Sequence, residues 1–246
     1  VDAWFVIEGT LPSDRSAIVP PNRVFFLGAE TARPVDYFYS TSGYLDYLTQ
    51  FERVLGPQPY LESNGIATFP FLPWMINGNH GPNLLDRNER DRVYLRDLQQ
   101  LSKTKKISMI CSAKTLTPEH RVRLEFATKI KEHFGERIDW FGNGVYPLRE
   151  KWDGIAPYKY TLALENQSST FVLSEKLMDA FLGLSLPLYW GSPLASQIFP
   201  KDSFVSIDIH DISSAIMTIE ATLENDPYYD VLPQIREAKR MVTEEL

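Results

Sequence analysis

The 246-residue sequence has one cysteine, Cys111, and four histidines. A lone thiol excludes an internal disulfide framework, and its place in the apolar run "ISMICS" marks it as a buried core residue. The histidines are scattered without HxxxH or HExxH spacing, and Cys111 has no CxxC partner, which argues against a zinc site. There is no Walker A sequence and no GxSxG elbow. Also missing is an Asp-x-Asp pair of the sort that holds a metal–nucleotide-sugar complex; "DIHD" (208–211) comes nearest and reads as a strand end followed by a helix cap. No stretch approaches the ~18 apolar residues of a membrane span, and no signal peptide is visible. The chain opens without Met, already inside the strand-like "AWFVIEG", so a preceding segment is expected. Nor is there an excess of positive charge: 25 Lys and Arg face 32 Asp and Glu, for a net charge of -7. That balance argues against non-specific nucleic-acid binding and leaves room for a local basic cleft that takes a phosphorylated ligand.

What is present is the texture of a folded α/β protein, long enough for one large domain or two small ones. In the first hundred residues, "AWFVIEG" (3–9) and "RVFFLGAE" (23–30) read as short buried strands amid Pro- and Gly-rich loops. A charged stretch, "LLDRNERDRVYLRDLQQLSKTKK" (84–106), gains helical spacing towards its end and closes on a basic run. We place a domain boundary there, giving units 1–104 and 105–246. Beyond it the pattern is regular. Strand "KISMICS" leads to a helix capped by Thr117 with Pro118 at its first position and Gly135 at its end. Strand "RIDWFGNG", strand "YTLALEN" and a helix from Ser174 to about Gly183 follow. Strands "LPLYWG" and "SFVSIDI" and helix "ISSAIMTIEATLEND" complete the series. Such alternation predicts a parallel sheet with right-handed crossovers. Ligands of these sheets sit outside the carboxyl ends of the strands.

Glu165, Asn166, Glu175 and Lys176 all fall at that edge. Lys176 is the odd one, because a cation in a helix's first turn opposes the macrodipole by roughly 0.3–1 kcal/mol. Two readings account for it: a phosphate between Lys176 and the helix start, or an ion pair with Glu175 or Asp179 on the same helix. Glu175 suits a helix start by its charge alone and could also accept hydrogen bonds from sugar hydroxyls. Asn166 offers both a donor and an acceptor to a ribose or a base edge, although turn chemistry explains it equally. Arg121 and Arg123, in the first turns of the helix that begins at Pro118, could reach a phosphate or lie on the surface. "GNG" (142–144) is too short for a dinucleotide fingerprint.

The series "YKYTLALEN…LSEKLMDAFLGLSLPLYWGSP…FPKDSFVSIDIHD" closely resembles the family 10 glycosyltransferases, the α-1,3/1,4-fucosyltransferases. Their pattern of aromatic-Glu-Asn, Thr-Glu-Lys, an apolar helix, Pro-aliphatic-aromatic-Gly-x-Pro and Ser-Phe-aliphatic is matched in order and spacing. Here it reads Leu164-Glu165-Asn166, Ser174-Glu175-Lys176, Pro187 to Pro193 and Ser203-Phe204-Val205. Residues 106–225 carry the likeness, which extends to bacterial members of the family; the first hundred residues match loosely. Two positions depart from the pattern: Ser174 replaces a Thr, and Val172 stands where many members carry an aromatic.

The resemblance implies a GT-B architecture of two Rossmann-like domains, the second binding GDP-fucose in the cleft between them. It implies fucose transfer with inversion to a glycan hydroxyl, with no cofactor and no essential metal, the GDP-sugar being a co-substrate. Lys176 is then the diphosphate contact, Glu175 the ribose or fucose contact, Asn166 a nucleotide contact and Arg123 the phosphate-binding arginine, with Arg121 as fallback. Glu165 and Ser174 complete the donor-binding set. The family's general base, a Glu just after a strand, falls on Glu30, one residue late; Glu8 is its rival, with Asp36 behind it. Two alternatives stay open: another nucleotide sugar as donor, or a degenerate nucleotide- or glycan-binding domain of a larger protein. The expected partners are a nucleotide sugar and a glycan, without nucleic acid. The expected location is the cytoplasm or the periphery of the inner membrane.

Overall fold

The computed structural model of the chain describes residues 3–7, 18–19, 22–28, 47–56, 66–67, 74–77 and 90–246. Two parallel sheets organise them. In the first, β1 (Trp4–Ile7), β2 (Val24–Leu27), β3 (Arg53–Gly56) and β4 (Ile66–Ala67) pair in chain order, with Trp4 opposite Val24 and Phe25 opposite Arg53. Its small core gathers Phe26 and Leu48 against Val6, Phe51 and Val54. β1 and β2 lie within the expected strands. β3 and β4 were not expected, since runs of four and two residues are too short to show a period.

The second sheet holds β5 (Lys105–Ile110), β6 (Asp139–Phe141), β7 (Tyr158–Leu164), β8 (Leu186–Trp190) and β9 (Val205–Ser206), in the order β6-β5-β7-β8-β9. β8 is buried along its whole length and β7 nearly so, because helices cover both faces of a parallel sheet. α1 (Arg92–Asp97) precedes β5, α2 (Pro118–Phe134) joins β5 to β6, and α3 (Glu175–Leu182) joins β7 to β8. α4 (Ala195–Ile198), α5 (Ile212–Asn225) and α6 (Leu232–Glu244) follow. Right-handed crossovers running in opposite directions put α2 and α3 on opposite faces. Accordingly α2 packs with α5, and α3 with α6. α6 belongs to no sequence expectation, yet Ile235, Ala238 and Val242 are core residues.

α2 starts and stops where its sequence says. The Thr117 hydroxyl accepts the His120 N–H at 3.2 Å, and Gly135 ends the helix at a φ of 55°. The Lys131 ammonium adds a bond to the Gly135 carbonyl at 2.8 Å. α3 buries every residue from Leu177 to Leu182, since the sheet covers one side of it and α6 another. Residues 74–77 and 90–103 also lean on this second unit: Ile76 and Leu95 are in its core, and Arg92 Nε donates to the Thr243 carbonyl at 2.6 Å. The Lys239 ammonium caps α1 from α6, donating to the carbonyls of Leu95, Arg96 and Leu98 at 2.6, 2.8 and 2.6 Å. Burial lowers its pKa to about 8.

Candidate functional site

In the second sheet the chain passes from β5 out to β6 and then returns across β5 to β7. Neighbouring strands β5 and β7 therefore send their following segments in opposite directions, which opens a crevice at their carboxyl ends. Every candidate of the second unit lies around this point. Gly142, ending β6, needs its φ of 145° and its bare α-carbon there: a Cβ would stand 2.5 Å from the Cys111 carbonyl oxygen at the end of β5.

From β7 the chain enters the loop 166–173, which is fastened at both ends. Glu165 is 1% exposed, and its carboxylate accepts the Ser174 N–H at 2.8 Å and the Ser174 hydroxyl at 2.5 Å. Ser174 therefore stands at the N-cap position of α3 without capping it; its hydroxyl serves Glu165 instead. The loop is also tied to the end of β8. Ser192 Oγ donates to the Thr170 carbonyl at 2.5 Å, Ser168 Oγ to Gly191 O at 2.7 Å, and Ser192 N–H to the Tyr189 hydroxyl at 2.9 Å. A Cβ on Gly191 would meet the Tyr189 hydroxyl at 2.2 Å and Glu165 Cγ at 2.4 Å, so only glycine fits. Val172, where the resemblance calls for an aromatic, is wholly buried.

Lys176 settles its quarrel with the helix dipole through carboxylates. Its Nζ lies 3.2 Å from Glu175 Oε1, 3.4 Å from Glu165 Oε2 and 3.0 Å from the Ser174 hydroxyl. The expected pairing with Glu175 is present. Asp179 instead pairs with Lys151 at 2.9 Å, and Lys151 also reaches Glu175 Oε1 at 3.1 Å. Burial opposes charge on Glu175, but Lys176 and Lys151 overcome it and hold the carboxyl well below its usual range. Burial likewise disfavours the Lys176 ammonium, and Glu175 and Glu165 outweigh it, raising the pKa. Burial pushes Asp179 up to about 6, with Lys151 opposing.

Arg123 comes in from α2. It is 4% exposed, donates from Nη1 to the Asn166 side-chain oxygen, and its Nε has no hydrogen-bond partner among the described residues. Arg121 is exposed and has no ion-pair partner among the described residues. His120 feels the same positive field. Its Nδ1 accepts the Thr117 N–H at 3.3 Å, and burial together with Arg123, Lys114 and Lys176 lowers its pKa to about 4. The neutral ring therefore carries its proton on Nε2. Direct bonds thus link Glu165, Ser174, Lys176, Glu175 and Lys151 in one set and Arg123 with Asn166 in a second, with Arg121 outside both and Arg123 and His120 coupled to Lys176 by charge alone. No spacing in the sequence could announce Lys151, because it reaches Glu175 through a turn 24 residues upstream. Glu8, Glu30 and Asp36 lie outside the described residues. Among the described residues no cluster of His, Cys, Asp and Glu is arranged to hold a metal ion. A groove at the opposite, amino edge is lined by Lys105, Lys106, Asp139 and Tyr158, but its lysines are already paired with Asp139 and Asp226.

The comparisons with known proteins bear on the family and the fold. Residues 101–232 match the model of glycosyltransferase family 10 (fucosyltransferase), C-terminal part. The alpha-(1,3)-fucosyltransferase FucT of Helicobacter pylori is 32% identical over 89 residues, which are 35% of this chain and 19% of that relative. The matched stretch thus spans about a fifth of the curated relative's length. Among solved structures, an alpha1,3-fucosyltransferase with GDP covers 92% of this chain and 76% of its own, at 18% identity and a TM-score of 0.56. An alpha1,3-fucosyltransferase with GDP-fucose covers 90% and 78%, at 16% identity and a TM-score of 0.51. These likenesses establish a shared fold. The family match takes in more than half of the chain and every site residue described above, and on that ground the chain belongs to glycosyltransferase family 10.

Proposed function

We propose that the chain is the catalytic part of an inverting transferase that moves fucose from GDP-fucose to a hydroxyl of a glycan, a bacterial surface saccharide. One observation carries the reading. Arg123 is buried, its Nε has no partner among the described residues, and it lies within the field of Lys176 at the switch point of a parallel sheet. A buried donor without an acceptor costs about 1–3 kcal/mol, and a phosphate oxygen would remove that cost. The choice of GDP and fucose rests on family membership and on the relatives' named activity and ligands.

In this reading Lys176, Arg123 and the amides at the helix starts stabilise the leaving diphosphate, and no metal is essential. Glu175 takes ribose or fucose hydroxyls, and Asn166, held by Arg123, faces the nucleotide. The two sheets form the two Rossmann-like halves of a GT-B enzyme, with residues 74–77 and 90–103 packed on the second half ahead of the expected boundary at 104/105, and with the acceptor bound by the first. Its base is Glu30, with Glu8 as rival. The protein works in the cytoplasm or at the inner membrane's periphery; among the described residues no helix is long and apolar enough to cross a membrane.

Thermal denaturation with GDP, UDP, CMP and their sugars tests the donor, because a ligand of the native state stabilises it by RT ln(1 + [L]/Kd). GDP and GDP-fucose should raise Tm most, and the shift should survive excess EDTA. A larger shift with UDP or CMP compounds would change the donor. A shift abolished by EDTA would reinstate a metal, and no shift with any nucleotide would leave a degenerate domain.

A further inference from the structure

Glu175 has two lysines on one oxygen, and the nucleotide reading uses only one of them. Lys176 Nζ stands 3.2 Å and Lys151 Nζ 3.1 Å from the same Oε1. Lys151 opens the short 3-10 turn Lys151–Gly154 and reaches on to Asp179, whose other oxygen accepts the Met75 N–H at 2.7 Å. Charges therefore alternate along a row: Glu165, Lys176, Glu175, Lys151, Asp179. The charged groups facing this row are Arg123 from α2, Glu165 from the end of β7 and Lys151 from the turn, beside Glu175, Lys176 and Asp179 of α3 itself.

Suppose Lys176 turns towards an anionic ligand. With no other cation, Glu175 would be left as an uncompensated carboxylate whose side chain is 19% exposed, the situation that makes loss of one partner of a buried pair so costly. Either the carboxylate would hold Lys176 back or it would take up a proton. We infer that Lys151 is a positioning residue of the donor site, the standing counter-ion that keeps Glu175 charged and in place while Lys176 is committed to the ligand. The ligand part of this inference rests on the proposed nucleotide-diphosphate reading; the Lys151–Glu175 pairing does not. Asp179, anchored by Met75 and buried, fixes Lys151 from the far side.

Two measurements on the full chain test it, with Lys151→Met removing the charge and Lys151→Arg restoring it. Lys151→Gln, which keeps a donor for both carboxylates, replaces the Met variant if that one does not fold. Calorimetric GDP affinity should fall about tenfold or more in the uncharged variant, as expected for loss of one member of a charge network. The ratio of its Kd to the wild-type value should depend on pH, because Glu175 and Asp179 lose their common counter-ion and take up protons more readily, and Lys151→Arg should return it to near one. A purely structural lysine would lower Tm but leave that ratio near one at every pH, which overturns the inference. In the ligand-free protein, carbon NMR of the Glu175 carboxyl should show its titration midpoint rising in the uncharged variant; an unmoved midpoint also overturns it. This second measurement needs no nucleotide. If wild-type protein binds no GDP, the nucleotide reading fails while the titration still decides whether Lys151 governs Glu175.

Discussion

Lys176 sits between opposing fields: the positive start of α3 repels it, and Glu175 and Glu165 hold it. Surface ion pairs are worth at most about 1 kcal/mol, but with 21% of its side chain and 1% of Glu165's exposed, this lysine is only lightly screened. A diphosphate would add the charge that the helix start favours. Lys176→Met, which keeps the aliphatic stem, should weaken GDP binding by about 1.5–3 kcal/mol, the range for a charge-assisted hydrogen bond. Glu165 retains both bonds from Ser174 in that variant, so the loop stays fastened. Calorimetry showing unchanged affinity would remove Lys176 from the diphosphate contact. Side chains also set what could be read in advance. Lys176, Glu175 and Asn166 stood out through their position at strand and helix ends. The inward turn of Glu165 and the diversion of the Ser174 hydroxyl did not, because they depend on how closely the end of β7 approaches the start of α3.

Elements with a regular period were legible. β5, α2, β7, α3, β8 and α5 occupy the stretches their apolar spacing and caps indicate. β3, β4, α4 and α6 were missed: the first three are too short to display a period, and α6 draws its stability from the partner faces of α1 and α3. α2 also offers a probe of its own site. Its first-turn His120 is held neutral, with a pKa of about 4 against about 6.5 for a free imidazole. Between these values the unfolded chain binds more protons than the folded one, so His120 makes stability rise with pH across that window and fall as pH drops below about 6.5. An anion placed among Arg123, Lys114 and Lys176 would cancel part of their field. Saturation with GDP should therefore move the His120 midpoint upward in a proton NMR titration. A midpoint that ignores GDP would mean that the diphosphate lies outside this field.

For the molecule as a whole, the proposed chemistry needs both sheets: in that reading the second supplies the leaving-group contacts, and the base comes from the first. Glu30→Gln should lower kcat at least about 100-fold, the usual contribution of a general base, with GDP affinity near wild type. The same loss from Glu8→Gln, with Glu30→Gln active, would move the base to the end of β1. The bond from Met75 to Asp179 and the ammonium of Lys239 under α1 have a practical consequence for anyone dissecting the protein. The stretch that matches the family closes at residue 232, just as α6 begins. A fragment cut at those limits would strip α6 from α3 and from α1 and leave the fold's own seam open. The smallest piece expected to carry the proposed nucleotide site by itself runs instead from Trp74 through the end of α6, because Met75 and Ile76 are already part of this unit's packing, so its frontier is drawn by packing and not by kinship.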